Sequence, residues 1–319
     1  MPQLANNPPF IAVIRTAGER TFNACKSLIL KQIHKDNLHI VNERPFEAAL
    51  RRCYQIGIES NAKWMITLDA DVLLRKNAIV GLLSEAEVIP TDHFQIEGMV
   101  LDKLTHRFRW AGYRCYRVKY LQTALSLLPA DRAEIRPEFT TLEKMTVQGY
   151  PFLRSNQAYG IHDFEQNYRD VYRKAYVHAD KHQSWLPEIL ATWKRLARED
   201  TDFRIALRGA YDGLLATESP RIDTRDYSEQ AERAMTDLGL TEKDELLGEC
   251  CGFPEVEALI NDAVNSTDVP RPGAYTTRSQ RLSDRYQRLG PRRIGPYLIG
   301  ALLCDVGNML KRMAEGKKK

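Results

Sequence analysis

A short apolar run that stops on two carboxylates constrains this chain more than any other stretch. Trp64 to Leu68 is apolar or β-branched and uncharged, and Asp69-Ala70-Asp71 follows at once. Such a run reads as a strand buried on both faces, the kind found in parallel sheets covered by helices. Ligands of open α/β sheets bind at the carboxyl ends of strands. Two residues apart on an extended backbone, Asp69 and Asp71 point the same way. Converging carboxylates repel each other unless a cation lies between them, and hard oxygen ligands suit Mg²⁺ or Mn²⁺. The pattern therefore predicts a metal–diphosphate site.

The segments before it support an α/β reading. Phe10 to Ile14 is an apolar run after two prolines, followed by a polar loop, Arg15 to Arg20. Phe22, Cys25, Leu28 and Ile29 then recur at helical spacing. This strand–loop–helix opens a nucleotide-binding unit, with Thr16, Arg20 and backbone amides placed toward a nucleotide. Leu38 to Val41 reads as a second strand closed by Asn42 and Glu43, and Pro45 fits the first turn of the next helix. The order is β-α-β-α-β-Asp-x-Asp with short connections, which predicts a mostly parallel, Rossmann-like sheet with helices on both faces.

Beyond the acidic turn the pattern loosens. Asn77 to Leu83 reads as helix and Phe94 to Leu101 as strand. Asp102 to Arg109 reads as a hairpin or loop, Tyr116 to Leu128 as helix, and Val147 to Ala158 as irregular. Tyr159 to Gln166 contains His162 and Asp163 and precedes an amphipathic helix from Asn167 to Lys181, whose first turn Asp163 is placed to cap. His178 and His182 lie at i and i+4 of a helical pattern, share one side and read as a solvated face. After about residue 180 only helical patterns remain, which predicts residues 1–180 as the nucleotide-binding α/β domain and 181–319 as an α-helical C-terminal region. Its last element, Pro296 to Met313, has an apolar stripe flanked by Arg292, Arg293 and Lys317 to Lys319. That pattern suits a peripheral membrane contact through residues 292–319, docking on its own domain, or a homodimer contact.

Composition narrows the class. At 319 residues the chain is long enough for a sizeable core, and 43% hydrophobic with 28% charged residues is the balance of a soluble globular protein. A net charge of +4 is too small to imply a nucleic-acid partner. No stretch has the roughly 20 consecutive apolar residues of a spanning helix. Met1 to Pro9 lacks the apolar core of a signal peptide. Six cysteines without a Cys-x-x-Cys pair read as reduced, buried thiols, so a cytoplasmic location is expected.

Taken together, Phe10 to about Gln166 resembles a GT-A glycosyltransferase of the family 2 type. Three parts carry the resemblance: the Phe10–Ile14 strand with its Arg15–Arg20 loop, the Ile56-to-Asp71 approach to Asp-x-Asp, and the downstream His162. The resemblance implies a metal-dependent hexosyltransferase-like enzyme that moves a sugar from a nucleotide-diphosphate donor to a glycan, lipid or protein acceptor. By position, Asp71 would ligate Mn²⁺ or Mg²⁺, Asp69 would contact metal or ribose, and His162 would complete the set. Arg15, Thr16, Arg20 and Glu43 would face the nucleotide. The family's usual Glu-Asp base pair is not evident; Asp163 and Glu97 are the substitutes the chain offers as catalytic carboxylates. Two other readings remain open. One is a scaffold that binds a nucleotide or a partner without catalysis. The other is a haloacid-dehalogenase-type phosphatase, which Asp69-Ala70-Asp71-Val72 echoes although two βα units precede it.

Overall fold

A computed structural model describes residues 9–181, 185–218, 220, 227–246, 251–266 and 269. The amphipathic segment Pro296 to Met313, His182, Cys250 and Cys304 lie outside the described residues.

The first half follows the predicted alternation: β1 (Phe10–Arg15), α1 (Phe22–Leu30), β2 (Leu38–Val41), α2 (Phe46–Ser60) and β3 (Trp64–Asp69). β1 pairs in parallel with β2 on one side and β3 on the other, with Arg15 opposite Asp69. Residues alternate between the two faces of these strands. Ile11, Val13 and Met65 pack with α2, whereas Ala12, Ile14, Ile66 and Leu68 pack with α1. Cys25, Cys53 and Cys115 are free, buried thiols.

After Asp71 the chain does something the alternation did not signal. β4 (Val72–Leu74) leaves β3 after two residues and joins the far edge of the same curled sheet. Then come α3 (Ala78–Val88), β5 (Gln95–Asp102), β6 (Arg107–Arg117), α4 (Leu121–Leu127), α5 (Pro137–Val147) and β7 (Phe152–His162). The sheet has seven strands in the order β2-β1-β3-β6-β5-β7-β4. The fold is the expected α/β type with helices on both faces. The sheet is mixed, because β6 runs antiparallel to both β3 and β5, and β4 runs antiparallel to β7. The predicted hairpin at residues 102–109 is real, but it folds β6 back into the sheet where Tyr116 and Arg117 had read as helix. Val147 to Ala158, read as irregular, supplies most of β7.

The remaining helices are α6 (Tyr168–Lys181), α7 (Leu186–Leu196), α8 (Thr201–Leu214), α9 (Ser228–Asp237) and α10 (Phe253–Asn265). α6 to α9 share a core of Tyr172, Ala175, Ile189, Trp193, Phe203 and Ala206, while α10 returns to the sheet through Val256 and Ile260. α8 meets α6 at very short range because it carries glycine where they touch: a Cβ on Gly209 would sit on the carbonyl oxygen of Tyr172, and one on Gly213 on that of Tyr176. The β5–β6 turn is bolted to these helices, with Lys103 Nζ 2.6 Å from Asp202 and the Trp193 indole donating to the Leu104 carbonyl. α6 is thereby fixed at the edge of the sheet, with its other side over the strand ends.

Candidate functional site

Four strand ends and two helices build the site. Asp69 closes β3 beside the last residue of β1. Arg15 Nε donates to Asp69 Oδ1 at 2.8 Å, and Nη1 donates to Glu138 Oε1 at 2.8 Å. Glu138 also accepts from Arg114 Nη1 at 2.5 Å and from the Tyr116 hydroxyl at 2.6 Å. Burial opposes its ionisation, but Arg114 and Arg15 outweigh burial and bring its carboxyl down to about 2. Burial raises the Asp69 carboxyl, against the pull of Arg15 and with a push from Asp71. Gly112, at φ 64, makes room for this corner: a Cβ there would lie 2.7 Å from Val72 and 3.1 Å from Asp69 Oδ2.

Asp71 faces a different group. Register is the cause: Val72 pairs with His162, and Asp102 pairs with the same histidine from the other side. His162 Nε2 lies 3.4 Å from Asp71 Oδ1, while Nδ1 lies 2.8 Å from Asp102 and 3.1 Å from Asp163. Burial alone would keep His162 neutral, yet Asp163 and Asp71 raise it to about 10. Lys174, nearly two turns into α6, reaches both Asp71 and Asp163 with its ammonium. Burial works against ionisation of Asp163 as well, and His162 and Lys174 together hold it well below the usual carboxylate range. Asp163 does not cap α6. Its backbone is left-handed at φ 64, and the first amides of the helix, on Tyr168 and Arg169, donate instead to Glu242.

Asp71, His162 and Asp163 can bring one ligand atom each within 4.8 Å of one another. Asp71 Oδ1 is buried and accepts no hydrogen bond. Two carboxylate oxygens and an imidazole nitrogen, one oxygen unsatisfied, fit a divalent cation of the Mn²⁺ or Mg²⁺ type. This group differs from the expected Asp69, Asp71 and His162: Asp163 joins it, and Asp69 is anchored to Arg15.

Two connected clefts flank the acidic pair. The smaller, about 150 Å³, is lined by Arg15, Thr16, Glu19, Glu43, Phe46 and Arg173 together with Asp69 and Asp71. Four of the five expected nucleotide residues meet here. Arg20 does not: its guanidinium is taken up by the Asp244 carbonyl at 2.7 Å and by Glu165 at 2.9 Å. The larger cleft, about 270 Å³, runs from Asp69 and Asp71 past His162 and Asp163 to Arg109, Arg136 and Lys181. Glu97 lines it, held by Arg114 at 3.1 Å and Arg154 at 2.9 Å. His178 also lines it and is buried, so it is not a solvated face. Burial, Arg109 and Lys181 lower it to about 3. The sequence reading missed Lys174, Glu138 and Arg114. Asp71 lies 103 residues from Lys174 and Arg15 lies 123 from Glu138, and only the i, i+3, i+4 and i+7 spacing of Lys174, Val177, His178 and Lys181 marked a common helix side.

No protein-family model matches the chain, and no curated protein matches it. Among solved structures, it is similar to the mannosyltransferase PcManGT from Pyrobaculum calidifontis, determined with GDP-Man and Mn²⁺, at 12% identity and a TM-score of 0.40, covering 90% of this chain and 88% of that one. A glycosyltransferase involved in glycosylation of the major capsid of PBCV-1 matches at 16% identity and TM-score 0.36, over 49% of this chain and 95% of that one. S. aureus TarS matches at 12% identity and TM-score 0.31, over 66% of this chain and 44% of its own length. These scores lie below 0.5, so the assignment of the fold stands on strand order and on the position of the acidic pair.

Proposed function

We propose that the chain is a metal-dependent glycosyltransferase that takes a sugar from a nucleotide-diphosphate donor. The observation that carries the reading is the junction at Asp69–Asp71. There, a carboxylate end of the parallel half-sheet, an unsatisfied buried Asp71 oxygen and a histidine from β7 converge between two clefts. The small cleft suits the nucleoside, with Phe46 as an apolar wall and Thr16, Glu19 and Glu43 as polar contacts. The large cleft suits the transferred sugar and the acceptor.

Asp71, His162 and Asp163 would hold the cation, whose chemistry is to neutralise charge on the departing diphosphate. The chain's own residues do the rest by positioning and electrostatics. Asp102 fixes the His162 ring by engaging Nδ1, which turns Nε2 toward Asp71. Arg15 orients Asp69, leaving Oδ2 toward the clefts. Arg173 lines both clefts beside the acidic pair. Asp163, held ionised by His162 and Lys174, belongs with the cation group and is poorly suited to take a proton. Glu97 is then the carboxylate that faces the acceptor end of the cleft.

The test is calorimetric binding of UDP, GDP, CDP and dTDP to the full chain, with and without Mn²⁺. Wild type and Asp71→Ala are compared, with circular dichroism to check folding. One nucleotide should bind with Mn²⁺ and lose at least about tenfold in affinity in the variant. Failure of all four nucleotides under every metal condition would overturn the reading. Metal-dependent binding without turnover across a nucleotide-sugar panel would favour the non-catalytic scaffold.

A further inference from the structure

We propose that the far end of the large cleft is a subsite for an oxyanion of the phosphate class carried by the acceptor, with Arg109, Arg136 and Lys181 as its ligands. The proposal rests on the transferase reading for the word acceptor, and on geometry for the anion.

The cleft-lining side of α6 places Lys174 and Lys181 seven residues apart, about 10 Å along the helix axis. Lys174 is matched by Asp71 and Asp163. Lys181 is half-buried, and no carboxylate among the described residues lies within ion-pair distance of it. Arg136, which is exposed, likewise has no carboxylate among the described residues within ion-pair distance, and its guanidinium stacks 4.5 Å above the Phe139 ring at the start of α5. Arg109, from β6, lies 3.3 Å from Asp102, but Asp102 is also the partner of His162. Glu97, the other carboxylate lining this part of the cleft, is engaged by Arg114 and Arg154. Positive charge therefore exceeds negative charge at this end. The strain is visible in the groups themselves: burial, Arg109 and Arg136 bring Lys181 down to about 7, and burial and Arg109 lower Arg136.

Cations collected in a concave, partly desolvated place without counter-charge cost stability and are relieved by a bound anion. Two arginines and a lysine offer the forked and point-charge donors that phosphate oxygens accept. The donor's own diphosphate is a poor candidate for this place. It would lie at Asp69–Asp71, beside the nucleoside cleft, and none of Arg109, Arg136 and Lys181 lines that smaller cleft. A sugar ring spans part of the 10 Å between the two ends, which leaves the basic end to the molecule that receives it.

The experiment is calorimetric titration of inorganic phosphate into the full chain, alone and with a saturating nucleoside diphosphate and Mg²⁺. Wild type, Lys181→Met and Arg136→Gln are compared. The expected result is saturable phosphate binding that persists with nucleotide present. It should weaken about tenfold in each variant while nucleotide affinity stays unchanged. Competition between phosphate and nucleotide, or equal loss of both in the variants, would assign these cations to the donor and overturn the proposal. So would a carboxylate-bearing nucleotide sugar whose binding alone depends on Lys181, or the absence of saturable phosphate binding. Should phosphate bind in a Lys181-dependent way while no nucleoside diphosphate binds at all, the anion site stands and the transferase reading falls.

Discussion

Replacing Lys174 by methionine tests the electrostatics of the site most directly. The substitution keeps a long, unbranched side chain with good helix propensity and removes only the ammonium. In the native site that ammonium lies between Asp71, 7% exposed, and Asp163, 2% exposed. Breaking a buried ion pair by deleting one partner costs about 3–5 kcal/mol, because the other charge is left uncompensated. Here His162 remains as a second cation, 3.4 Å from Asp71 and 3.1 Å from Asp163, so the lower end, about 3 kcal/mol, is expected. In a domain of this size that is a fall in Tm of roughly 5–10 °C. The vacated place is then a dicarboxylate–imidazole set without its internal cation. Mn²⁺ should bind Lys174→Met more tightly than wild type, where the ion must first displace the ammonium. At a hundredfold excess over Kd, binding restores about 2.7 kcal/mol, most of the loss. Thermal unfolding against Mn²⁺ concentration measures the stability, and the electron paramagnetic resonance signal of free Mn²⁺ measures the affinity. A variant with wild-type Tm and wild-type or weaker Mn²⁺ binding would refute the idea that Lys174 occupies the cation position.

Two further substitutions probe the wall formed by α6. His178 is held near 3, against 6.5 for the free side chain, by burial, Arg109 and Lys181, with Asp102 and Asp163 opposing. The unfolded chain therefore binds a proton at His178 before the folded one does. Stability must fall as pH drops from about 6.5 toward 3, with a slope of up to about 1.4 kcal/mol per pH unit from this group. His178→Gln should flatten the acid limb of a urea-denaturation series by that amount, and an unchanged slope would mean that the histidine is solvated in the folded state. Gly209→Ala places a methyl group on the Tyr172 carbonyl and must push α6 away from α8. A loss of about 1–3 kcal/mol in urea unfolding is expected, and a neutral result would show that the two helices are not in contact there.

The parts legible in the sequence are those whose pattern is local. β1, α1, β2, α2 and β3 declared themselves because each run is apolar on its own terms, and the helices of the C-terminal half because their stripes repeat at helical spacing. β7 did not, since Arg154, Ser155, Asn156 and Gln157 lie in its middle and only pairing with β5 makes it a strand. β4 is three residues long, below any periodic signal, and β6 alternates too loosely to outcompete the helical look of Tyr116 to Leu128. The site shows the same division. Asp69, Asp71 and His162 could be nominated from the chain itself, whereas Glu138 and Lys174 enter through contacts 123 and 103 residues away from Arg15 and Asp71.

That division bears on what the Asp-x-Asp triplet does. On an extended strand its two carboxylates would point the same way and share one task. The chain instead turns at Ala70 and leaves for the opposite edge of the sheet. Asp69 is then held by β1 through Arg15, and Asp71 by β7 through His162 and by α6 through Lys174. The triplet joins the parallel half of the sheet, which ends in the smaller cleft, to the mixed half, which walls the larger one. A change at Asp69 reaches Glu138 and Arg114 through Arg15, while a change at Asp71 reaches Asp163 and Asp102 through the histidine. The two aspartates are therefore separable. Asp69→Asn is expected to disturb the Arg15–Glu138 network and to spare Mn²⁺ binding, and Asp71→Asn to do the reverse. Equal loss of Mn²⁺ affinity in both would mean that the carboxylates act as one unit after all.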